Sequence, residues 1–492
     1  MKEQDLSNQF LNTFPPVKEL VGWESIKLSN NDINSIPNDI ADLSSLKVLH
    51  LDGNEIKELP ESFANLTNLE ELILGSVVGG NMFMIFPLAI TQLAKLTKLS
   101  LVDNQLQEIP EEINQLTQLC FLDLETNELS NIPLSLSELG LLTHLNLGYN
   151  KFTSFPEEVL PLSCLEELYL MQNQIKEIPS NIGKLTSLKV LNLNNNELTI
   201  LPDSIGKMVN LEKLYLTSNN IKAIPDGVVS LKKLKELTLF KNSLKNCPKT
   251  IATLTSLEVL DLAANQIEEL PNELAQLHRL KLLDLSNNQL SQFPEFIGNC
   301  KSIEELNLHH NQIEKLTESI GNLKLLKRLY MSDNKLLDIS LTCAYLDELQ
   351  EVDFSGNLLT NFPDHLIALQ KLTKLNLSRN QLSKLDSYTQ LPPNLKDLTV
   401  MGNKLKEVKG LGQIVYQSME SLYLSFNEIS FFQISPTQFP HLQIIDLSNN
   451  NLTDIDFEIP PSIEYIKLSN NPIHPQKQKK ILEQYSQVII DF

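Results

Sequence analysis

Asparagine recurs along this chain with a nearly fixed step. It stands at positions 31, 54, 81, 104, 127, 150, 173, 196, 219, 242, 265, 288, 311, 334, 357, 380, 403, 427, 450 and 471. The step is 23 residues, except for 27 into Asn81, 24 into Asn427 and 21 into Asn471. A chain that repeats itself in this way is not divided into domains by its length of 492 residues. The stretches "LKVLHLDGNEIKELP" (46–60), "LEKLYLTSNNIKAIP" (211–225) and "LKLLDLSNNQLSQFP" (280–294) share the pattern LxxLxLxxNxLxxLP. The LxL alternation puts two leucines on one face of a short strand. One repeat cannot bury that face alone, so stability must come from stacking neighbours. An asparagine amide both donates and accepts, which suits a buried turn between stacked repeats.

These residues resemble the leucine-rich repeat family over almost the whole chain. The expected fold is an α/β solenoid: a curved horseshoe with a parallel concave β-sheet and short helical or 3₁₀ turns on the convex side. The expected boundaries are an N-terminal cap at 1–22, a solenoid of about twenty repeats at 23–473, and a C-terminal cap at 474–492. The tail "HPQKQKKILEQYSQVIIDF" reads as a helix with Ile481, Leu482, Tyr485 and Val488 inward. The proline of LxxLP runs unbroken from Pro37 to Pro294 and then becomes Thr317 and Ser340. One continuous solenoid whose convex side changes near residue 300 is expected. The LPxxI form is similar to intracellular Ras-group-related repeat proteins. The Pro-Pro repeats "PPNLKDLTV" and "PPSIEYIKL" are more similar to bacterial ones. Members mostly bind other proteins through the concave face, and that is what the resemblance implies here.

Composition narrows the partner. The formal net charge of −21 repels nucleic acid and anionic membranes, so the expected partner is another protein carrying a basic patch. No apolar run is long enough to insert into a membrane. Cys120, Cys164, Cys247, Cys300 and Cys343 are odd in number and dispersed, which is not a disulfide framework. With no signal-like N-terminus, a cytoplasmic protein is expected, with secretion by a signal-less route as the alternative. "NIGKLTS" and "SIGKMVN" lack the features of a phosphate loop, and no catalytic constellation is visible. No cofactor and no metal are expected. His309 and His310 have only Ser286, Ser332 and Asp333 nearby in adjacent repeats, and a solvated pair is the expected reading.

The expected function is a protein-interaction scaffold in a signalling role. The alternatives are a bacterial effector that binds a host protein, and an enzyme. The candidate partner-binding residues are Phe121, His144, Tyr149, Tyr169, Met171, Tyr215, Phe240 and Lys241, all at strand positions between or just after the leucines. Aromatic side chains supply large contact areas at interfaces. Asp261 and Asp284 share a column in adjacent strands. Their repulsion should raise one pKa, and together they form a candidate socket for a partner's Lys or Arg. The stretch "GSVVGG" (75–80) breaks the repeat as an insertion at the rim. It is expected either as a surface loop with its apolar residues tucked in, or as a mobile contact loop; deleting Val77 to Gly80 should restore a regular repeat.

Overall fold

A computed structural model describes residues 2–409, 411, 414–455 and 458–492. The chain forms two compact units, Met1–Ser243 and Leu244–Phe492. Each is a solenoid of the expected kind. In the first unit, three-residue strands run from Glu3–Asp5 through Ser25–Lys27 and Val48–His50 to Glu236–Thr238, each paired parallel with the next. In the second, the ladder runs from Val259–Asp261 to Ile489–Asp491. The register is one repeat per strand; Leu191 and Leu214 are partners, as are Leu283 and Leu306. The central residue of most strands is a buried leucine, as at Leu191 and Leu214, replaced by isoleucine or valine at Ile26, Val352, Ile445 and Ile466, and the flanking residues at Leu191 and Leu214 face outward.

The asparagine of each repeat is spoken for, and all but the half-buried Asn242, Asn427 and Asn471 are buried. In Asn196, Nδ2 donates to the carbonyls of Leu193 in its own repeat and Leu170 in the preceding one, at 3.2 and 2.9 Å. Its Oδ1 accepts from the backbone N–H of Ile175, at 2.9 Å. The same three bonds recur at Asn54, Asn150, Asn288, Asn357 and Asn450. The ladder is directional: every asparagine reaches back to the repeat before it. Just before it the backbone turns through left-handed φ, as at Thr126, Tyr149, Lys241 and Ala264. That turn lets the strand leave the sheet and enter the return segment.

The return segments form 3₁₀ turns from Asn38–Asp42 through Glu111–Gln115 to Asp364–Ala368. Where the preceding proline is lost the turn still forms: Ser340 accepts from the N–H of Thr342 and opens the turn Leu341–Tyr345. The change expected near residue 300 therefore comes later. Beyond Ala368 the return segments carry instead the short strands Leu385–Asp386, Glu407–Lys409 and Phe431–Gln433, a second parallel sheet.

The tail corrects a second expectation. Its helix, Pro475–Gln484, buries Ile481 but leaves Leu482 46% exposed, while Tyr485 and Val488 are half-buried. The helix stops at Gln484, and the chain then returns to the sheet: Ile489–Asp491 pairs with Tyr465–Lys467. At the other end, Glu3–Asp5 pairs with Ser25–Lys27, and the helix Val17–Leu20 buries Val17 and Leu20.

The insertion at repeat three is a pinned hairpin. Ser76 and Gly79 exchange two backbone hydrogen bonds of 3.0 Å around Val77 and Val78. The N–H groups of Gly53 and Asn54 donate to the carbonyls of Gly79 and Gly80, as the N–H groups of Asp103 and Asn104 donate to those of Glu125 and Thr126. Gly79 and Gly80 thus hold the regular places, and the four extra residues are 75–78. A side chain on Gly80 would put Cβ 1.4 Å from the carbonyl oxygen of Asp103. The expected tucking of the apolar residues does not occur: Val77 and Val78 are 90% and 72% exposed.

Candidate functional site

The sheet face of the first unit gathers part of the expected aromatic set. Phe121 and His144 are register partners on adjacent strands, and their rings stack with centroids 4.1 Å apart. His144 also meets Tyr169, at 5.2 Å. The Lys98 ammonium lies 5.5 Å from the Phe121 ring centroid. His144 Nδ1 is 3.2 Å from a Glu167 carboxylate oxygen. Burial lowers the imidazole pKa and outweighs the pull of Glu167, so near neutral pH this contact is a hydrogen bond from a neutral ring. The cluster is thus an aromatic surface rather than a charged one.

The two tyrosines are held by carboxylates that the sequence pattern did not flag. The Tyr169 hydroxyl donates to Glu167 at 2.8 Å, and that of Tyr215 to Glu236 at 2.5 Å. Burial, then the neighbouring carboxylate, raises both phenol pKa values. Each ring is therefore anchored at its hydroxyl and half-buried. Tyr169 and Tyr215 are separated by the Asn192 strand, register partner of both. Glu167 and Glu236 occupy the outward position two residues before the tyrosine column, so strand periodicity alone could have found them.

The remaining residues are less concentrated. Met171 lies over Gly148, where a Cβ would meet its sulfur at 2.6 Å. Tyr149 and Lys241 occupy the left-handed position at the edge of the sheet face, with Tyr149 47% exposed. Phe240 is exposed beside Lys241.

Asp261 and Asp284 belong to the second unit and are register partners. Burial, with Asp284 adding repulsion, pushes the Asp261 carboxyl up to about 6. Both carboxylates also cap their own turns: Asp261 accepts from the N–H of Ala263 at 3.0 Å and Asp284 from that of Ser286 at 2.9 Å. Asn307, Asp353 and Asp446 do the same in other repeats. Turn capping accounts for Asp or Asn at this position without any partner.

A second apolar surface was missed. After Asn81 the usually polar positions hold Met82, Met84 and Ile85, and the first residue of the 3₁₀ turn is Leu88. All four are exposed, and Met82, Met84 and Ile85 line a groove of about 470 Å³ with Leu59 and Phe86. Comparison with Glu55, Lys57 and Glu58 one repeat earlier would have revealed it. The thiols of Cys247, Cys300 and Cys343 are buried, which pushes them up to about 12, 11 and 12, so they are core groups rather than nucleophiles. Among the described residues, no helix is long and apolar enough to cross a membrane.

Comparison with known proteins agrees with this architecture. A family model for a leucine-rich repeat region matches residues 168–247 and 228–481, and a leucine rich repeat model matches 23–76. Mouse (Mus musculus) podocan is 33% identical over 90 residues, a match spanning 17% of this chain and 15% of podocan. A solved leucine-rich repeat protein of Leptospira interrogans is 30% identical with a TM-score of 0.68; the match covers 94% of this chain and 100% of that one. The plant peptide hormone receptor RGFR1, solved in complex with RGF2, is 27% identical with a TM-score of 0.71, covering 95% of this chain and 81% of the receptor.

Proposed function

The chain belongs to the leucine-rich repeat family, and from that premise we propose that it is a non-enzymatic interaction protein that captures a protein or peptide partner on the sheet face of its first unit. The observation that carries this reading is the Phe121–His144–Tyr169 cluster: three ring side chains in a row, His144 touching both others, on an outward face where most repeats place polar or charged residues. The rings are held in place by packing and by the Glu167 hydrogen bonds, so a partner loses little freedom of theirs on binding. The partner carries a basic patch, in keeping with the net charge of −21. The setting proposed is cytoplasmic signalling. The rival, an effector that leaves the cell by a signal-less route and binds a host protein, would use the same face.

Affinity capture with mass spectrometry tests the reading, with parent chain and a Tyr169→Ala/Tyr215→Ala double variant as baits. A protein retained by the parent and lost from the variant supports it. A partner from the producing cell favours the scaffold, and one found only in host lysate favours the effector. Equal capture by both baits removes this face from the site.

A further inference from the structure

Two imidazoles and a carboxylate meet in the second unit, and we propose that this corner binds a divalent first-row transition metal ion of the Zn²⁺ class. The groups are His309, His310 and Asp333, with one ligand atom from each lying within 4.8 Å of the others. The chain has eight histidines, and these two are the adjacent pair. They occupy the two positions before the ladder asparagine, Asn311, and Ser332 and Asp333 occupy the same two positions before Asn334.

The backbone explains the convergence. Neighbouring side chains on an extended strand point to opposite faces. At His310 φ is +54°, the left-handed turn of this repeat position, and it brings the two rings to a centroid distance of 5.7 Å. The turn is pinned on one side by the His310 N–H donating to the Ser332 carbonyl at 2.8 Å, and on the other by the Asn287 N–H donating to the His309 carbonyl at 2.8 Å. Asp333, in the next repeat, places Oδ2 3.7 Å from His309 Nδ1. The Arg379 guanidinium lies 3.1 Å from Oδ1 and 3.2 Å from Oδ2, so it fixes the carboxylate and must yield Oδ2 when a metal ion binds there. Ser332 Oγ lies 2.6 Å from the same His309 Nδ1 and gives up that hydrogen bond when the nitrogen ligates.

Two nitrogen ligands and one carboxylate oxygen suit Zn²⁺, Co²⁺, Ni²⁺ or Cu²⁺ better than Ca²⁺ or Mg²⁺, which favour all-oxygen shells. Ligand atoms around tetrahedral zinc are about 3.4 Å apart, so side-chain movements that shorten the separations by up to about 1.4 Å close the set. Three protein ligands leave a fourth position for water or for a side chain of a bound partner.

Calorimetric titration of the full metal-stripped chain with Zn²⁺ alone tests the site, with Co²⁺ as a second probe read by its visible absorption. The expected result is one saturable ion per chain and a cobalt spectrum of a nitrogen–oxygen site. His310→Ala and Asp333→Asn should each weaken Zn²⁺ about tenfold or more. His278→Ala, an exposed histidine elsewhere, should bind as the parent does. Circular dichroism of each variant checks that the fold is retained. Absence of saturable one-to-one uptake by the parent, or unchanged Zn²⁺ affinity in folded His310→Ala and Asp333→Asn, overturns the proposal.

Discussion

Asn196 shows how a residue-scale rule becomes a fold. Truncation to Ala leaves the Ile175 N–H without its partner inside the core and takes one of two donors from the Leu170 carbonyl, which keeps Asn173 Nδ2; the expected loss is about 1–3 kcal/mol. The C-terminal Asn471 makes the same three bonds, at 2.8–2.9 Å, because the ladder points backward and its last member still has a repeat to hold. Truncation there should nonetheless cost less, because Asn471 is only half-buried and water replaces part of what is lost. Urea denaturation should show the larger loss for Asn196→Ala, and equal losses would mean that exposure does not discriminate the two. Asp261 gives a pH-dependent counterpart. Its folded pKa, about 6, is raised, so its contribution to stability is present below the usual carboxylate range and is lost as pH rises through about 6. Asp261→Asn keeps the acceptor for the Ala263 N–H and removes the charge. Its denaturation midpoint should therefore rise relative to the parent's between pH 4 and pH 7. A relative fall over that window would contradict the burial argument.

At the scale of elements, what could be read from the sequence was what each repeat states locally. The LxL strand, the asparagine and the turn residues lie within one 23-residue period, so stacking merely multiplies them. The positions of Cys247, Cys300 and Cys343 in the leucine columns likewise announced their burial. Elements whose partner is distant were harder. Ile489–Asp491 reads equally well as the end of a helix, and only pairing with Tyr465–Lys467 decides it. The strands Leu385–Asp386, Glu407–Lys409 and Phe431–Gln433 are too short to show a period of their own. The insertion belongs here too, since its position was legible but not which residues were extra. Deleting 75–78 should leave Gly79 and Gly80 in their regular bonds and the protein folded, with little change in melting temperature. Gly80→Ala should destabilise by about 1–3 kcal/mol, because Cβ meets the Asp103 carbonyl. Thermal melts decide, and a deletion that unfolds the chain, or a harmless Gly80→Ala, would refute the assignment.

For the molecule as a whole, the fold was legible and the site only in outline. Repetition specifies a scaffold many times over, whereas a binding surface is written once, in the outward positions that the repeat leaves free. Side-chain type marked Phe121, His144 and Tyr169, but the contacts that fix them come from Lys98 and Glu167 on neighbouring positions. The exposed Met82, Met84 and Ile85 were overlooked because they stand outside the strand columns. Asp261 and Asp284, chosen as a charge socket, have a sufficient role in capping their turns. The central claim is that the sheet face of the first unit holds the partner through its fixed aromatic rings. Isothermal titration calorimetry of the captured partner against the parent, Tyr169→Ala and Tyr215→Ala, with circular dichroism of each, tests it most directly. The account predicts unchanged spectra and a loss of about 1–3 kcal/mol in binding for each variant. Unchanged affinity in both folded variants would contradict it.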